Sequence, residues 1–372
     1  MTVDQDENGV PHPRETAELL GHEAAEAALL EAWNAGRVPH AWLISGPKGI
    51  GKATLAYRFA RFVLAQGVGD SGALFGAPDP AGDLAVAPED PVFRRVASGG
   101  HADLLTVERP LDASGRRKSE ITVNEVRRLR GFFNLTAAES GHRVAIVDSA
   151  DELNRNAANA LLKILEEPPE KSLILLIAQA PEALLPTIRS RCRRLALRPL
   201  PSDLVIALLA RHYPELLEAE GTALAQLAAG SPGRALGLAE AGGVAAYQDI
   251  VSLLAPLPRL DWGAVHGWAD RLARRENDRI YALTLDLLAL WLSRLLRSAA
   301  SGRDGGEAVP GEFGLRGFVA DRSGLRRWLD AAEEIAHGAA LADALNLDRK
   351  QLLLNVVFAL GRAAQAMPAR AS

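Results

Sequence analysis

Cysteine is the scarcest residue in this 372-residue chain. Cys192 stands alone, which excludes an internal disulfide and a four-cysteine zinc site, and we interpret its thiol as a small buried hydrophobe. A basic excess is also missing, since 42 Lys and Arg stand against 46 Asp and Glu, a net charge of −4. Any contact with nucleic acid must therefore be local or belong to an assembly.

Long apolar runs are missing too. The run at 283–292 is interrupted by Asp286 and falls short of the roughly 18 residues that a membrane span needs. The acidic, polar start does not resemble a secretory signal. We expect a cytoplasmic protein with no membrane partner. With 48% hydrophobic and 24% charged residues, the length indicates two or three globular domains of about 150 residues each.

What the chain does contain is a glycine-rich loop close to the phosphate-binding pattern G-x-x-x-x-G-K-[ST]. Its glycines let consecutive amides turn toward phosphate oxygens at the positive end of the next helix. The residues expected to contact nucleotide are Gly46, Pro47, Lys48, Gly49, Ile50, Gly51, Lys52, Ala53 and Thr54. Ala53 replaces the hydroxyl that would hold Mg²⁺. Thr54, about 100° further round the helix, cannot simply replace it.

The flanks of this loop favour a true phosphate site over a turn that binds nothing. Residues 40–45 form an apolar run typical of a strand, and apolar residues at 55, 59, 62 and 63 have helical spacing. Strand, glycine loop and helix is the order that the motif requires.

Further short apolar runs alternate with helical stretches, which predicts a parallel α/β sheet. The other strand candidates are 103–107, 144–147, 173–177 and 194–197. Residues 66–101, rich in Gly, Pro, Asp and Ala, are interpreted as an insertion or long loop, and 301–314 as a loop. Everything from about 202 onward has helical patterns.

Asp148 follows the candidate strand at 144–147. An acidic residue at the carboxyl end of such a strand lies beside the P-loop and can hold Mg²⁺ or its waters. Asp151 and Glu152 are interpreted as the first residues of the next helix, where carboxylates interact favourably with the helix dipole.

Two longer strings carry a family resemblance. Residues 154–169 read Asn-Arg-Asn-Ala-Ala-Asn-Ala-Leu-Leu-Lys-Ile-Leu-Glu-Glu-Pro-Pro, and residues 186–192 read Pro-Thr-Ile-Arg-Ser-Arg-Cys. They closely resemble the clamp-loader branch of the AAA+ ATPases. Weaker similarities cover Leu20-Gly21-His22-Glu23, the Gly230-Ser-Pro-Gly-Arg234 start of a sensor-2 helix, and residues 345–355 of a helical collar.

The resemblance implies an α/β N-terminal P-loop (AAA+) domain with a parallel five-stranded sheet at 1–199. It also implies a small helical lid at 200–241, carrying the sensor-2 residue Arg234, and an all-α collar for oligomerisation at 242–372. Subunits of this type often carry a four-cysteine zinc module after the P-loop helix. Residues 66–101 contain no cysteine, so we expect no zinc there.

In the family, the arginine of the Ser190-Arg191-Cys192 motif reaches a neighbour's ATP site as an arginine finger. Guanidinium suits that role because it is planar, permanently charged and can bind two phosphate oxygens. The alternative is an ordinary solvated basic patch of Arg189, Arg191, Arg193 and Arg194. Active relatives also have a glutamate where this chain has Ser149, and a polar sensor-1 residue where it has Ala178.

The resemblance therefore implies a stator-like clamp-loader subunit of a replicative DNA polymerase holoenzyme, itself a weak or inactive ATPase. Nucleotidyl transfer, the reaction of a DNA-directed DNA polymerase, belongs to the holoenzyme. ATP or ADP with Mg²⁺ would use Lys52, Asp148 and Arg234. The implied partners are other loader subunits in a hetero-oligomeric ring, the sliding clamp and primer–template DNA.

Three other interpretations remain open. One is a fully active ATPase motor, in which Thr54 or a water replaces the missing hydroxyl. The others are a small-molecule kinase with a P-loop, and a purely structural subunit whose P-loop is empty.

A basic cluster, Arg116, Arg117 and Lys118, precedes Thr122. The spacing from Thr122 to Glu125 predicts a capping box at the start of a helix that carries Arg127, Arg128 and Arg130. The resemblance implies that 116–118 face the duplex backbone as phosphate contacts. A solvated loop and a charged helix face explain the cluster almost as well.

Overall fold

A computed structural model describes residues 12–67, 80–112, 117–135, 137–138, 141–301, 306–345 and 348–365. The chain divides into two compact units. The first comprises the residues up to Val205 together with Gly230–Arg234, and the second comprises the rest. The three domains predicted from the sequence, with boundaries at 199 and 241, stay a prediction.

The first unit contains the predicted sheet of five parallel strands. They are β1 (Ala41–Ser45), β2 (Leu104–Val107), β3 (Arg143–Val147), β4 (Ser172–Ala178) and β5 (Arg193–Ala196). Their order across the sheet is β2-β3-β4-β1-β5. The register places Ala41 opposite Ile174 and Trp42 opposite Arg193. Every residue of β3 and β4 is buried, as a parallel sheet covered on both faces requires.

Helices cover both faces of this sheet. They are α1 (Glu23–Asn34), α2 (Lys52–Gly67), α3 (Pro91–Ala97), α4 (Val123–Phe133), α5 (Arg155–Glu166) and α6 (Pro186–Arg191). Leu29, Phe59 and Val96 of the first three helices pack in one core cluster. Leu129 and Leu161, from α4 and α5, pack in the cluster on the other face. The P-loop between β1 and α2 is thereby held between two rigid elements.

The prediction that 66–101 is an insertion or long loop is wrong in part. Helix α2 continues to Gly67, and residues 68–79 lie outside the described part. Helix α3 then begins after Asp90, whose carboxylate accepts a hydrogen bond from the Val92 amide at 2.7 Å. Val92 and Val96 are buried against the core. Seven residues are too few to show helical periodicity in the sequence.

The structure differs from the sequence prediction at two helix starts. Asp151 and Glu152 belong to a single 3₁₀ turn, Ala150–Glu152, and not to α5, whose N-cap is Asn154. Helix α4 does begin after Thr122, but the Thr122 side chain makes no capping hydrogen bond. The capping-box prediction is therefore wrong, and Glu125 pairs with Arg128 at 2.9 Å instead.

After β5 the described chain is helical, as predicted. The helices are α7 (Ser202–His212), α8 (Glu218–Ala228), α9 (Pro232–Glu240), α10 (Gly243–Leu254), α11 (Trp262–Leu272), α12 (Asp278–Ser301), α13 (Arg322–Leu345) and α14 (Arg349–Ala364). In the second unit, Tyr247, Trp291 and Trp328 are fully buried. None of the described helices combines the length and apolarity that a bilayer crossing requires.

Candidate functional site

The P-loop follows β1 at the carboxyl edge of the sheet. Gly46, Gly49 and Gly51 have φ values of 147°, 77° and 101°, a backbone region that favours glycine. A Cβ atom on Gly46 would lie 2.7 Å from the Leu197 carbonyl oxygen. Within the described residues, the backbone amides of 48–53 have no hydrogen-bond acceptor. The loop therefore presents a row of unpaired donors, as an anion-binding nest does.

The carbonyl groups of the same loop are all bound. Lys52 Nζ donates to the carbonyls of 46 and 47 at 2.8 and 2.7 Å, and the Ser231 hydroxyl donates to that of 48 at 2.8 Å. The Gly233 amide donates to the carbonyl of 49 at 2.8 Å, and His22 Nε2 lies 2.6 Å from that of 50. Because a carbonyl only accepts, Nε2 of His22 carries the proton. These bonds occupy the carbonyls of the loop, whereas its amides have no acceptor among the described residues.

Lys52 and Asp148 form the charged centre of the site. Lys52 is only 6% exposed, and burial lowers its pKa while Asp148 and Asp151 oppose that shift. Burial raises the pKa of Asp148, with a smaller contribution from Glu108, and Lys52 opposes the rise. Two of the three ammonium N–H groups of Lys52 are used by the loop, which leaves one for a phosphate oxygen.

Small side chains stand at the three positions where the resemblance implies a missing hydrolytic group. Ala53 packs against the core cluster and supplies no hydroxyl. Ser149 follows Asp148 with φ 60°, a left-handed conformation that is uncommon for a residue other than glycine. Ala178 is fully buried, and its carbonyl accepts a hydrogen bond from the Gly46 amide at 3.3 Å. The nest suits phosphate, whereas the loop lacks the hydroxyl ligand for Mg²⁺.

Arg234 reaches the P-loop through its backbone. It lies in the first turn of α9, and its amide donates to the Ser231 hydroxyl at 3.3 Å. A Cβ atom on Gly49 would lie 2.6 Å from that hydroxyl and 3.1 Å from the Arg234 amide nitrogen. The Arg234 side chain is exposed, and it makes no hydrogen bond or ion pair to any described residue.

Arg191 lies apart from the P-loop of its own chain, at the end of α6. Its Nη2 lies 2.9 Å from Glu166 Oε1, and its Nη1 donates to the Thr187 carbonyl at 3.0 Å. The next residue, Cys192, is buried as predicted, and burial raises the pKa of its thiol to about 11. The buried cysteine thus fixes the backbone next to an exposed arginine.

The structure describes only part of the basic cluster. Arg116 lies outside the described residues. Arg117 pairs with Glu108 at 2.7 Å, and Lys118 is exposed, with its amide bound to the Pro110 carbonyl. Within the described chain, no three His, Cys, Asp or Glu side chains are grouped so that they could hold a metal ion.

The sequence did not predict three contacts of this region. They are the Ser231 and His22 bonds to the loop, and the Glu166 pair with Arg191. Asp151 also has an unforeseen role, because its carboxylate accepts from the amides of Gln179 and Ala180 at 3.1 and 2.8 Å. All four join residues distant in sequence, and no local pattern signals such pairs.

Comparisons with known proteins find similarity to subunits of DNA polymerase III. Residues 21–201 match the family described as DNA polymerase III, delta subunit. The delta' subunit of Pseudomonas aeruginosa is 39% identical over 194 residues, which are 52% of this chain and 53% of that protein. That of Escherichia coli is 34% identical over 235 residues, 63% of this chain and 65% of that protein.

A gamma/tau subunit is also similar. The DNA polymerase III subunit gamma/tau of Mycobacterium tuberculosis is 35% identical over 273 residues, which are 65% of this chain and 43% of that protein. The chain spans about half the length of the curated relatives it matches. Among solved structures, a gamma subunit-related protein of Thermotoga maritima aligns with a TM-score of 0.41 and 17% identity, over 91% of this chain and all of that one.

Proposed function

We propose that this chain serves a sliding-clamp loader as its stator-like, weakly hydrolysing member, because residues 21–201 match the family described as DNA polymerase III, delta subunit, and the chain is similar to delta' subunits. Its partners are the other subunits of the ring, the clamp and primer–template DNA. It donates Arg191 to the ATP site of a neighbouring subunit.

One observation carries this proposal. The P-loop keeps its unpaired amides and Lys52, while Ala53, Ser149 and Ala178 stand where hydrolysis needs a metal ligand, a base and a polar sensor. Such a site can hold phosphates without activating water. A bound nucleotide would supply the phosphate charge, and the chain would supply the amide nest, one N–H of Lys52 and the nearby carboxylate of Asp148.

The position of Arg191 supports a role outside its own nucleotide site. The guanidinium is partly exposed at the end of a short helix, and within the described residues it has no contact with Lys52 or the loop. Arginine fingers act from a neighbouring subunit and accelerate hydrolysis by about 10³-fold or more.

The test is DNA-dependent ATPase activity of a loader reconstituted from its subunits. With Arg191→Ala in this chain we expect turnover to fall by at least about 10²-fold, because the neighbouring ATP site loses its arginine finger. Lys52→Ala should change turnover less than twofold. Loss with Lys52→Ala alone would show that the nucleotide site of this chain drives turnover, as in the fully active motor.

The DNA role of Arg116, Arg117 and Lys118 is a separate part of the proposal. Lys118 is exposed, and the pair between Arg117 and Glu108 is partly exposed, so each is accessible to a phosphate. Reversing all three charges should weaken the stimulation of the assembled ATPase by primer–template DNA. Unchanged stimulation would remove these residues from the DNA-binding surface.

A further inference from the structure

Two short helices end beside each other in the first unit, and each ends on a charged residue. Glu166 is the last residue of α5, and Arg191 is the last residue of α6. Their side chains meet at 2.9 Å. The second terminal nitrogen of Arg191 donates to the Thr187 carbonyl at 3.0 Å, one turn back in α6. Both terminal nitrogens of the guanidinium are thus bound by the same chain.

The core positions this pair. Leu161 and Leu165 of α5 and Ile188 of α6 are buried in one cluster. Cys192, directly after the arginine, is buried in it as well. The packing of α5 against α6 therefore brings the backbones of Glu166 and Arg191 close enough for their side chains to meet.

We propose that Glu166 is a counter-ion that holds Arg191 against its own subunit and competes with the phosphate of the neighbouring site. This inference rests on the proposed function of Arg191 as a finger. The two side chains are 37% and 42% exposed, so the pair shifts an equilibrium by about fivefold at most. A phosphate binds guanidinium through two oxygens and carries more charge, so it displaces the carboxylate.

Glu166 is therefore a positioning residue that sets the nucleotide concentration at which the finger engages. While the carboxylate holds the guanidinium, fewer loaders have Arg191 free to bind the neighbour's phosphate. Removing the negative charge frees the arginine without altering the groups that surround the phosphate. The apparent KM for ATP then falls, while kcat, reached with the finger engaged, stays the same.

The adjacent Glu167 provides a matched control. It is exposed, carries the same charge, and makes no ion pair with Arg191 in the described structure. Glu166→Gln and Glu167→Gln remove the same charge one residue apart. An effect of overall charge near α5 appears in both variants, whereas loss of a counter-ion appears only in the first.

The experiment uses a loader reconstituted with the full-length chain. It measures the DNA-stimulated rate of ATP hydrolysis as a function of ATP concentration. We expect Glu166→Gln to lower the KM for ATP by about three- to fivefold with kcat unchanged, and Glu167→Gln to behave as wild type. In an Arg191→Ala background, Glu166→Gln should have no effect. Thermal unfolding of both glutamine variants verifies that they fold alike.

Each other outcome has a distinct meaning. If Glu166→Gln matches wild type while Arg191→Ala abolishes turnover, the counter-ion proposal is wrong and the finger stands. A loss of kcat with Glu166→Gln would mean that the carboxylate aligns the finger, which also overturns the competition. If Arg191→Ala leaves turnover intact, the proposed function itself fails.

Discussion

At the scale of single residues, three small side chains decide what the P-loop lacks. In the proposed function, Ala53, Ser149 and Ala178 stand where an active site would have a hydroxyl, a carboxylate and a polar group. Lys52 and Asp148 carry opposite charges, which in that function would bind phosphate and metal-bound water. The structure around two of these residues suits small side chains: Ala53 contacts the core, and Ser149 has a left-handed backbone. A glutamate at 149 would adopt that backbone at a cost of about 1 kcal/mol.

Restoring one hydroxyl tests this account. Ala53→Ser in the full-length chain should raise the affinity for ADP several-fold in the presence of Mg²⁺ and leave it unchanged with EDTA, because the hydroxyl acts through the metal. Titration calorimetry measures both. Steady-state ATPase should stay at the wild-type level, since Ser149 and Ala178 are unchanged. Robust turnover by this variant would show that the hydroxyl alone was missing.

At the scale of elements, the P-loop is held in place by hydrogen bonds from the start of α9. Ser231 and Gly233 donate to adjacent carbonyls of the loop, and the two backbones approach so closely that Gly49 and Gly233 leave no room for a side chain. The conformation of the P-loop therefore depends on a segment that lies far from it in the sequence. We expect a change in α9 to alter nucleotide affinity.

Ser231→Ala tests that dependence. Loss of the hydroxyl removes the part-buried hydrogen bond to the Lys48 carbonyl, which costs about 1 kcal/mol of unfolding free energy. The affinity for ADP should fall as the loop loosens. Ser190→Ala is the control, because the Ser190 hydroxyl is exposed and bonds only within α6. Denaturant unfolding and calorimetry report the two effects, and equal behaviour of both variants would refute the coupling.

Elements were predictable from the sequence where the signal is local. The five strands are short apolar runs bounded by turns, and the sequence predicted all five. Helix α3 was not found, since seven residues carry too little periodicity. The capping box failed at Thr122 because residue spacing does not fix side-chain rotamers. Contacts such as that of Glu166 with Arg191 depend on tertiary packing, which residue spacing does not encode.

At the scale of the whole molecule, the second unit has its own buried polar centre. Glu312, 1% exposed, accepts hydrogen bonds from the Tyr247 hydroxyl at 2.7 Å and from the Ala308 amide at 2.6 Å. Arg294 binds the same carboxylate. Burial and this carboxylate raise the pKa of Tyr247, so the phenol stays protonated. Residues 306–314, the described part of the segment predicted as a loop, are thus bound to α10 and α12 through Glu312.

Removing that carboxylate should destabilise the second unit. Glu312→Ala leaves Arg294, which is partly buried, and Tyr247, which is fully buried, without their partner. Loss of one member of a buried pair lowers the free energy of unfolding by about 3–5 kcal/mol. Hydrogen exchange followed by mass spectrometry should show faster exchange in α10 and α12. Glu333→Ala, an exposed change in α13, is the control. Unchanged protection in Glu312→Ala would mean that the network contributes little to stability.

The bond between Ser231 and the P-loop joins residues 183 positions apart. A ribosome adds about 5–20 residues per second, so on the order of ten seconds or more separates the synthesis of Lys48 from that of its partner. Over that interval the nascent loop has only water at the carbonyls that Ser231 and Gly233 later bind. The P-loop is therefore among the last parts of the first unit to be completed, although it is synthesised well before Ser231.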